Sequence, residues 1–106
     1  MYFDTTLITP RENYQLLTGA VVPRPIAWVS TLSDKGIANL APYSFFTVAS
    51  CKPPVLCVVQ VNPRDRAEKD TLTNLLATRE CVVNIVSHVL VDAMNTSCGD
   101  YPPEVD

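Results

Sequence analysis

The chain has 106 residues, 47% of them hydrophobic and 18% charged, which is the balance of one small globular domain rather than a disordered segment. Eight basic residues stand against eleven acidic ones, for a net charge of −3, so a nucleic-acid-binding surface is not expected. No apolar run reaches membrane-spanning length, and the start "MYFDTTLITP" lacks the basic segment and apolar stretch of a secretory signal.

The first predicted element is a helix over "PRENYQLLT". Thr9 is placed to cap it, Pro10 suits the first helical position, and Glu12 completes a capping box. Gly19 is the expected left-handed stop. "VVPRPIAWVSTL" follows. Pro23 and Pro25 fix the backbone on either side of Arg24, so this cation is presented on a stiff segment just before a strand. "PIAWVSTL" and "IANLAP" are predicted strands, joined by the turn "SDKG" as a hairpin.

"YSFFTVAS" either extends the second strand or wraps beyond it. Lys52-Pro53-Pro54 breaks the chain before "VLCVVQV", whose continuous β-branched run predicts a strand buried on both faces. "NPRDRAEKD" is a polar loop with Arg64, Arg66 and Lys69. Asp70 or Thr71 then caps a helix over "TLTNLLATRE". "CVVNIVS" is a further buried strand, "HVLVDAMNTS" a short amphipathic helix, and "YPPEVD" an extended polar end. The count is about four strands and three short helices, with strand edges that need cover.

The four cysteines, Cys51, Cys57, Cys81 and Cys98, form no C-x-x-C pair, and the single histidine, His88, completes no usual zinc set. Reduced thiols in a cytoplasmic protein are expected, with Cys57 and Cys81 acting as small hydrophobes inside strands. No nucleophile–histidine arrangement and no phosphate-binding glycine loop is present. Two segments carry possible binding chemistry. The loop with Arg64 and Lys69, leading to Thr71 at a helix start, reads either as a phosphate site or as a solvated mixed-charge turn. "NLAPYSFF" sets Asn39 and Ser44 beside three aromatics, which suits either a planar ligand or a packed strand end. Trp28 reads as core.

Taken together and in this order, "LLTGAVVPRPIAWVST", "GIANLAPYSFF", "PP-VLCVV", "KDTLTNLLATRECVVNIVS" and "AMNTS" resemble the flavin reductase-like proteins, which bind FMN on a split β-barrel. The resemblance runs from about Tyr14 to Val105. It implies a mainly β fold with short helices, and a flavin beside the segment from Arg24 through Pro25 and Ala27 to Thr31. It places Asn39, Leu40, Ala41, Pro42, Tyr43 and Ser44 along the isoalloxazine and ribityl chain. It sets Arg64, Lys69, Asp70 and Thr71 at the phosphate. The family runs on past the match with further strands, so the chain is expected to be the N-terminal part of such a domain, an incomplete barrel. The implied activity is hydride transfer from NADH or NADPH to flavin, in a homodimer, with no catalytic side chain assigned. The other readings are a flavin-binding electron carrier without turnover, and a structural piece associating through open sheet edges.

Overall fold

The computed structural model describes residues 1–61 and 70–98. The described part holds α1 (Pro10–Ala20), β1 (Ala27–Leu32), β2 (Ala38–Tyr43), β3 (Phe46–Cys51), β4 (Pro54–Val58), α2 (Asp70–Thr78), β5 (Val82–Ile85), a 3₁₀ turn (His88–Leu90) and α3 (Val91–Thr96). The strands form two antiparallel sheets, one in the order β2-β1-β5 and one of β3 with β4. The loop "NPRDRAEKD", apart from Asp70, and the end "YPPEVD" lie outside the described residues.

The capping of α1 is as the sequence predicts. Thr9 Oγ1 accepts from the Glu12 amide at 3.1 Å and donates to its carboxylate at 3.2 Å. The helix does not stop at Gly19 but continues to Ala20. The reason lies in Arg24. Its Nη1 donates to the carbonyls of Thr18 and Val21 at 2.7 Å each. A side chain thus satisfies the orphan carbonyls of the last turn, and a left-handed glycine is not needed for it.

The hairpin is also as expected. β1 and β2 pair in the register Ala27 with Tyr43 through Leu32 with Ala38, and Gly36 takes a positive φ of 80° in the turn. "YSFFTVAS" neither extends β2 nor merely wraps. It turns at Ser44-Phe45 and forms β3, so five strands are described instead of about four. Lys52-Pro53 makes the tight turn into β4, with Cys51 opposite Pro54.

Two expectations on burial are overturned. "VLCVVQV" is not a doubly buried strand: four of the five residues of β4 are exposed. It is half of a two-stranded ribbon, with only β3 beside it. β5 is likewise half covered, with Val82 and Ile85 exposed, because it forms the edge of the larger sheet. Cys57 and Cys81 are exposed rather than packed, and all four cysteines are free thiols.

The core is small. Ala27, Val29 and Tyr43 form it, with Ala41, Phe46, Val58 and Val83 packed against them. The register explains the set: Ala27, Val29, Ala41 and Tyr43 share one face of the β1–β2 pair, and Val83 lies opposite Val29 on β5. On the other face Trp28 is buried, and its indole donates to Ser97 Oγ at 2.9 Å, tying β1 to the residue that follows α3.

α2 ends at Thr78, and Arg79 follows with φ of 59°, its amide still bonded to the Leu75 carbonyl. A side chain in this conformation is strained, and glycine is the residue that takes it freely. Arg79→Gly is therefore expected to raise stability by about 0.5–1 kcal/mol, the relief outweighing glycine's added chain entropy. Urea unfolding checks this, and an unchanged or lower midpoint would mean that the arginine is held there without strain.

Candidate functional site

The residues singled out from the sequence gather at the two ends of the β1–β2 ladder. At one end Thr31 and Asn39 are cross-strand partners. Both reach α2 from the same face. Asn39 Nδ2 donates to Thr71 Oγ1 at 3.1 Å, and Asn74 Nδ2 donates to Thr31 Oγ1 at 3.0 Å. Thr31, Thr71 and Asn74 are each buried. This pair of bonds fixes the first turn of α2, where Asp70 is half-buried, against the strand ends. A helix start carries free amides and the positive end of the dipole, and here it is held beside an amide and two hydroxyls. Asn74 was missed in the sequence. Its signal was its spacing, since a residue three after Thr71 lies on the same helix face.

At the other end, Arg24, Pro25 and Ser44 meet beside Ala27 and Tyr43. Arg24 Nε donates to Ser44 Oγ at 3.3 Å, and its guanidinium lies 5.7 Å from the centre of the Phe45 ring. Phe45 in turn meets Tyr14 of α1, ring to ring, at 5.9 Å. The stiff Pro23–Pro25 segment thus aims Arg24 at three things at once: the end of α1, the Ser44 hydroxyl and an aromatic face. These contacts frame an open cleft of about 420 Å³. Leu17 and Val21 wall it on the α1 side and Phe45, Thr47, Cys57 and Val59 on the ribbon side. None of the last four was a predicted site residue. A half-polar strand such as Thr47 to Cys51 does not announce which of its faces will be open.

Between the two ends the predicted residues divide. Ala27 and Tyr43 are buried in the core, so their side chains support the site rather than border it. Ala41 packs against that core, Pro42 is half-buried, and Leu40 is exposed at 37%. Tyr43 Oη donates to Gln60 Oε1 at 3.4 Å, and Gln60 Nε2 is buried with no hydrogen-bond partner among the described residues. A buried donor without an acceptor is uncommon enough to count as an observation about the site. Arg64 and Lys69 lie outside the described residues. Among the described residues no cluster of ligating side chains could hold a metal, and no helix is long and apolar enough to cross a membrane.

Two antiparallel sheets meeting at a small shared core, with helices at the margins, define a split-barrel architecture. The chain belongs to the flavin reductase like domain family, which it matches over residues 18–106. An uncharacterized protein of Aquifex aeolicus is 50% identical over 93 residues, covering 88% of this chain and 47% of that protein. The crystal structure of nitrilotriacetate monooxygenase component B from Bacillus cereus is similar with a TM-score of 0.88 at 36% identity, over 98% of this chain and 51% of that one. That of 2-nitrobenzoate 2-nitroreductase from Pseudomonas fluorescens gives 0.85 at 33% identity, over 98% and 50%. A split-barrel structure from Shewanella frigidimarina, at 17% identity and a TM-score of 0.79, speaks to the fold. The chain spans about half the length of these relatives.

Proposed function

We propose that the chain is part of an FMN-binding oxidoreductase of the flavin reductase type. The observation that carries this reading is the pair of side-chain bonds, Asn39 to Thr71 and Asn74 to Thr31, that pins the start of α2 to the strand ends. It builds an anion-ready helix start at one end of a ladder whose other end borders an apolar cleft. Four residue steps separate Thr31 from Ala27, about 14 Å at the usual rise of a strand. That span suits a flavin mononucleotide, phosphate at the α2 end and ring toward Ser44.

The donor set fits the group. Thr71 and the first amides of α2 suit the phosphate, with Lys69 and Arg64 as its cations. Asn39, Leu40, Ala41 and Pro42 flank the ribityl chain and ring, and Gln60 Nε2 is a buried donor for which a ring carbonyl is an apt acceptor. Bound FMN supplies the chemistry, hydride acceptance from NADH or NADPH. The chain's own residues bind and orient it, and none is assigned a proton transfer. Free exposed thiols suit a reducing compartment, and we place the protein in the cytoplasm.

Titration of the purified chain with FMN, followed by visible absorbance and then by NADH and NADPH oxidation, tests the reading. Perturbed flavin absorbance with nicotinamide oxidation supports it. Binding without oxidation would make the protein a flavin carrier, and no binding would remove the flavin altogether.

A homodimer belongs to the same proposal. Val48 and Leu56 face each other across the ribbon on the side that carries Phe46 and Val58, yet they are 61% and 49% exposed. An apolar ribbon left open in this way invites a second copy. Sedimentation at micromolar concentration is expected to show a dimer that Leu56→Lys dissociates. A wild-type monomer at that concentration would overturn it.

A further inference from the structure

We infer that Asn74 is a positioning residue for the anion end of the site, setting its preference for a phosphorylated flavin over an unphosphorylated one. This rests on the flavin reading and deepens it, by giving a role to a residue that acts through others. The argument starts from what α2 buries. Of its nine residues the buried ones are Thr71 and Asn74, both polar, while Leu72 and Leu75 are half-buried and Leu76 is 66% exposed. A helix that served only to cover the sheet would turn its leucines inward, since burying a polar group is unfavourable unless it is hydrogen-bonded. Here polar residues take the buried face, and each is paired with a strand residue. Satisfied buried bonds of this kind add less to stability than apolar packing does, and more to a single fixed orientation.

The two bonds differ in standing. Asn39 and Thr71 are both given to the ligand, so the bond between them is open to rearrangement when phosphate and ribityl chain arrive. Asn74 lies one turn further along α2, and its Nδ2 donates at 3.0 Å to Thr31 Oγ1, on the strand beside Asn39. Thr31 and Asn39 are cross-strand partners, and Thr71 and Asn74 share one helix face, so the four residues close a ring. One bond alone would let α2 pivot about Thr71. Two bonds about 4.5 Å apart along the axis fix its direction as well as its place. Direction matters because the free amides at the helix start point along that axis. Asn39 takes a lone pair of Thr71 Oγ1, which leaves the Thr71 proton for an acceptor-rich partner such as a phosphate. Holding these donors in place before the ligand arrives removes an ordering cost from binding.

Equilibrium titration of the full chain with FMN and with riboflavin reads the preference as a ratio of affinities. Asn74→Ala is expected to lower that ratio about fivefold, the size of one neutral hydrogen bond, while riboflavin affinity holds. Thr31 separates positioning from packing. Thr31→Ser keeps the acceptor and loses a methyl group, and it should keep the ratio. Thr31→Val keeps the shape and loses the acceptor, and it should lower the ratio as Asn74→Ala does. Combining Thr31→Val with Asn74→Ala should lower it no further, because both remove the same bond. Packing alone would give the opposite order, with serine worse than valine. Should the variants lose their fold by circular dichroism, hydrogen exchange on the wild type decides. The amides from Asn74 to Thr78 should be protected in the free chain and gain little when FMN is added. Protection that appears only with FMN, a ratio unchanged in Asn74→Ala, or a serine variant worse than the valine one would each overturn the proposal. A wild-type chain with no preference for FMN would remove the phosphate reading and this inference with it. A wild-type preference that Asn74→Ala and Thr31→Val both keep would remove this inference alone.

Discussion

Trp28→Ala is expected to destabilise the chain by about 3–5 kcal/mol, the usual loss for a buried tryptophan. The residue is 9% exposed at the centre of the three-stranded sheet, with Pro42 opposite it on β2 and Asn84 on β5. Two hydrogen bonds reach it, and one of them is relayed onward. The indole donates to Ser97 Oγ, Ser97 donates onward to the Met94 carbonyl at 2.6 Å, and Asn84 Nδ2 donates to the Trp28 carbonyl at 3.0 Å. Losing the ring removes the bond that ties α3 to β1. A domain of this size commonly has 5–15 kcal/mol in all, so the loss is a large share of it. Trp28→Phe separates the causes. It keeps most of the apolar volume and loses one hydrogen bond, so about 1 kcal/mol is expected. A phenylalanine variant as unstable as the alanine one would show that the Ser97 bond, not the packing, holds α3.

The second large effect lies at the proposed phosphate end. Lys69→Ala is expected to weaken FMN binding by one to two decades while leaving riboflavin affinity nearly unchanged, since a charge-assisted hydrogen bond is worth about 1.5–3 kcal/mol. Thr71→Ala should act in the same direction but more weakly, because its hydroxyl is neutral and already accepts from Asn39. Equilibrium titration of each variant with both flavins reads the difference. Equal losses for FMN and riboflavin would move the phosphate away from the start of α2.

The split-barrel fold was legible because its local signals agree with its tertiary ones. Thr9 with Glu12, the turn closed by Gly36, and the apolar run entering β1 each specify their own element. What failed was burial. A run such as "VLCVV" looks the same whether both faces are covered or one face is open, because hydrophobicity records what a segment tolerates and not what lies beside it. Gly19 misled for a related reason. A glycine after a helical run signals a stop only if no side chain arrives to satisfy the last carbonyls, and Arg24 comes from beyond the helix. At the site, the sequence named Asn39, Thr71, Arg24 and Ser44 but not how they pair. Asn39 meets Thr71 across 32 positions and Arg24 meets Ser44 across 20, separations that no local pattern encodes.

The ribbon from Phe45 to Val59 gives its residue numbers a meaning by parity. Positions 46, 48, 56 and 58 share one side of the ribbon, where Phe46 and Val58 pack against the core, while positions 45, 47, 57 and 59 border the cleft, which Phe46 also lines. Side chains alternate along a strand, so one two-stranded element carries two jobs on interleaved residues, with Phe46 serving both. Changes at the odd positions rewrite the cleft with little effect on the core, and changes at 48, 56 and 58 leave the cleft lining as it is. The arrangement has one weak point. Adding or deleting a single residue in the turn at Lys52-Pro53 would exchange the two sets on β4, bringing Cys57 inward and turning Val58 out. Over this stretch, substitution is the open route to new specificity and a change of length is the closed one.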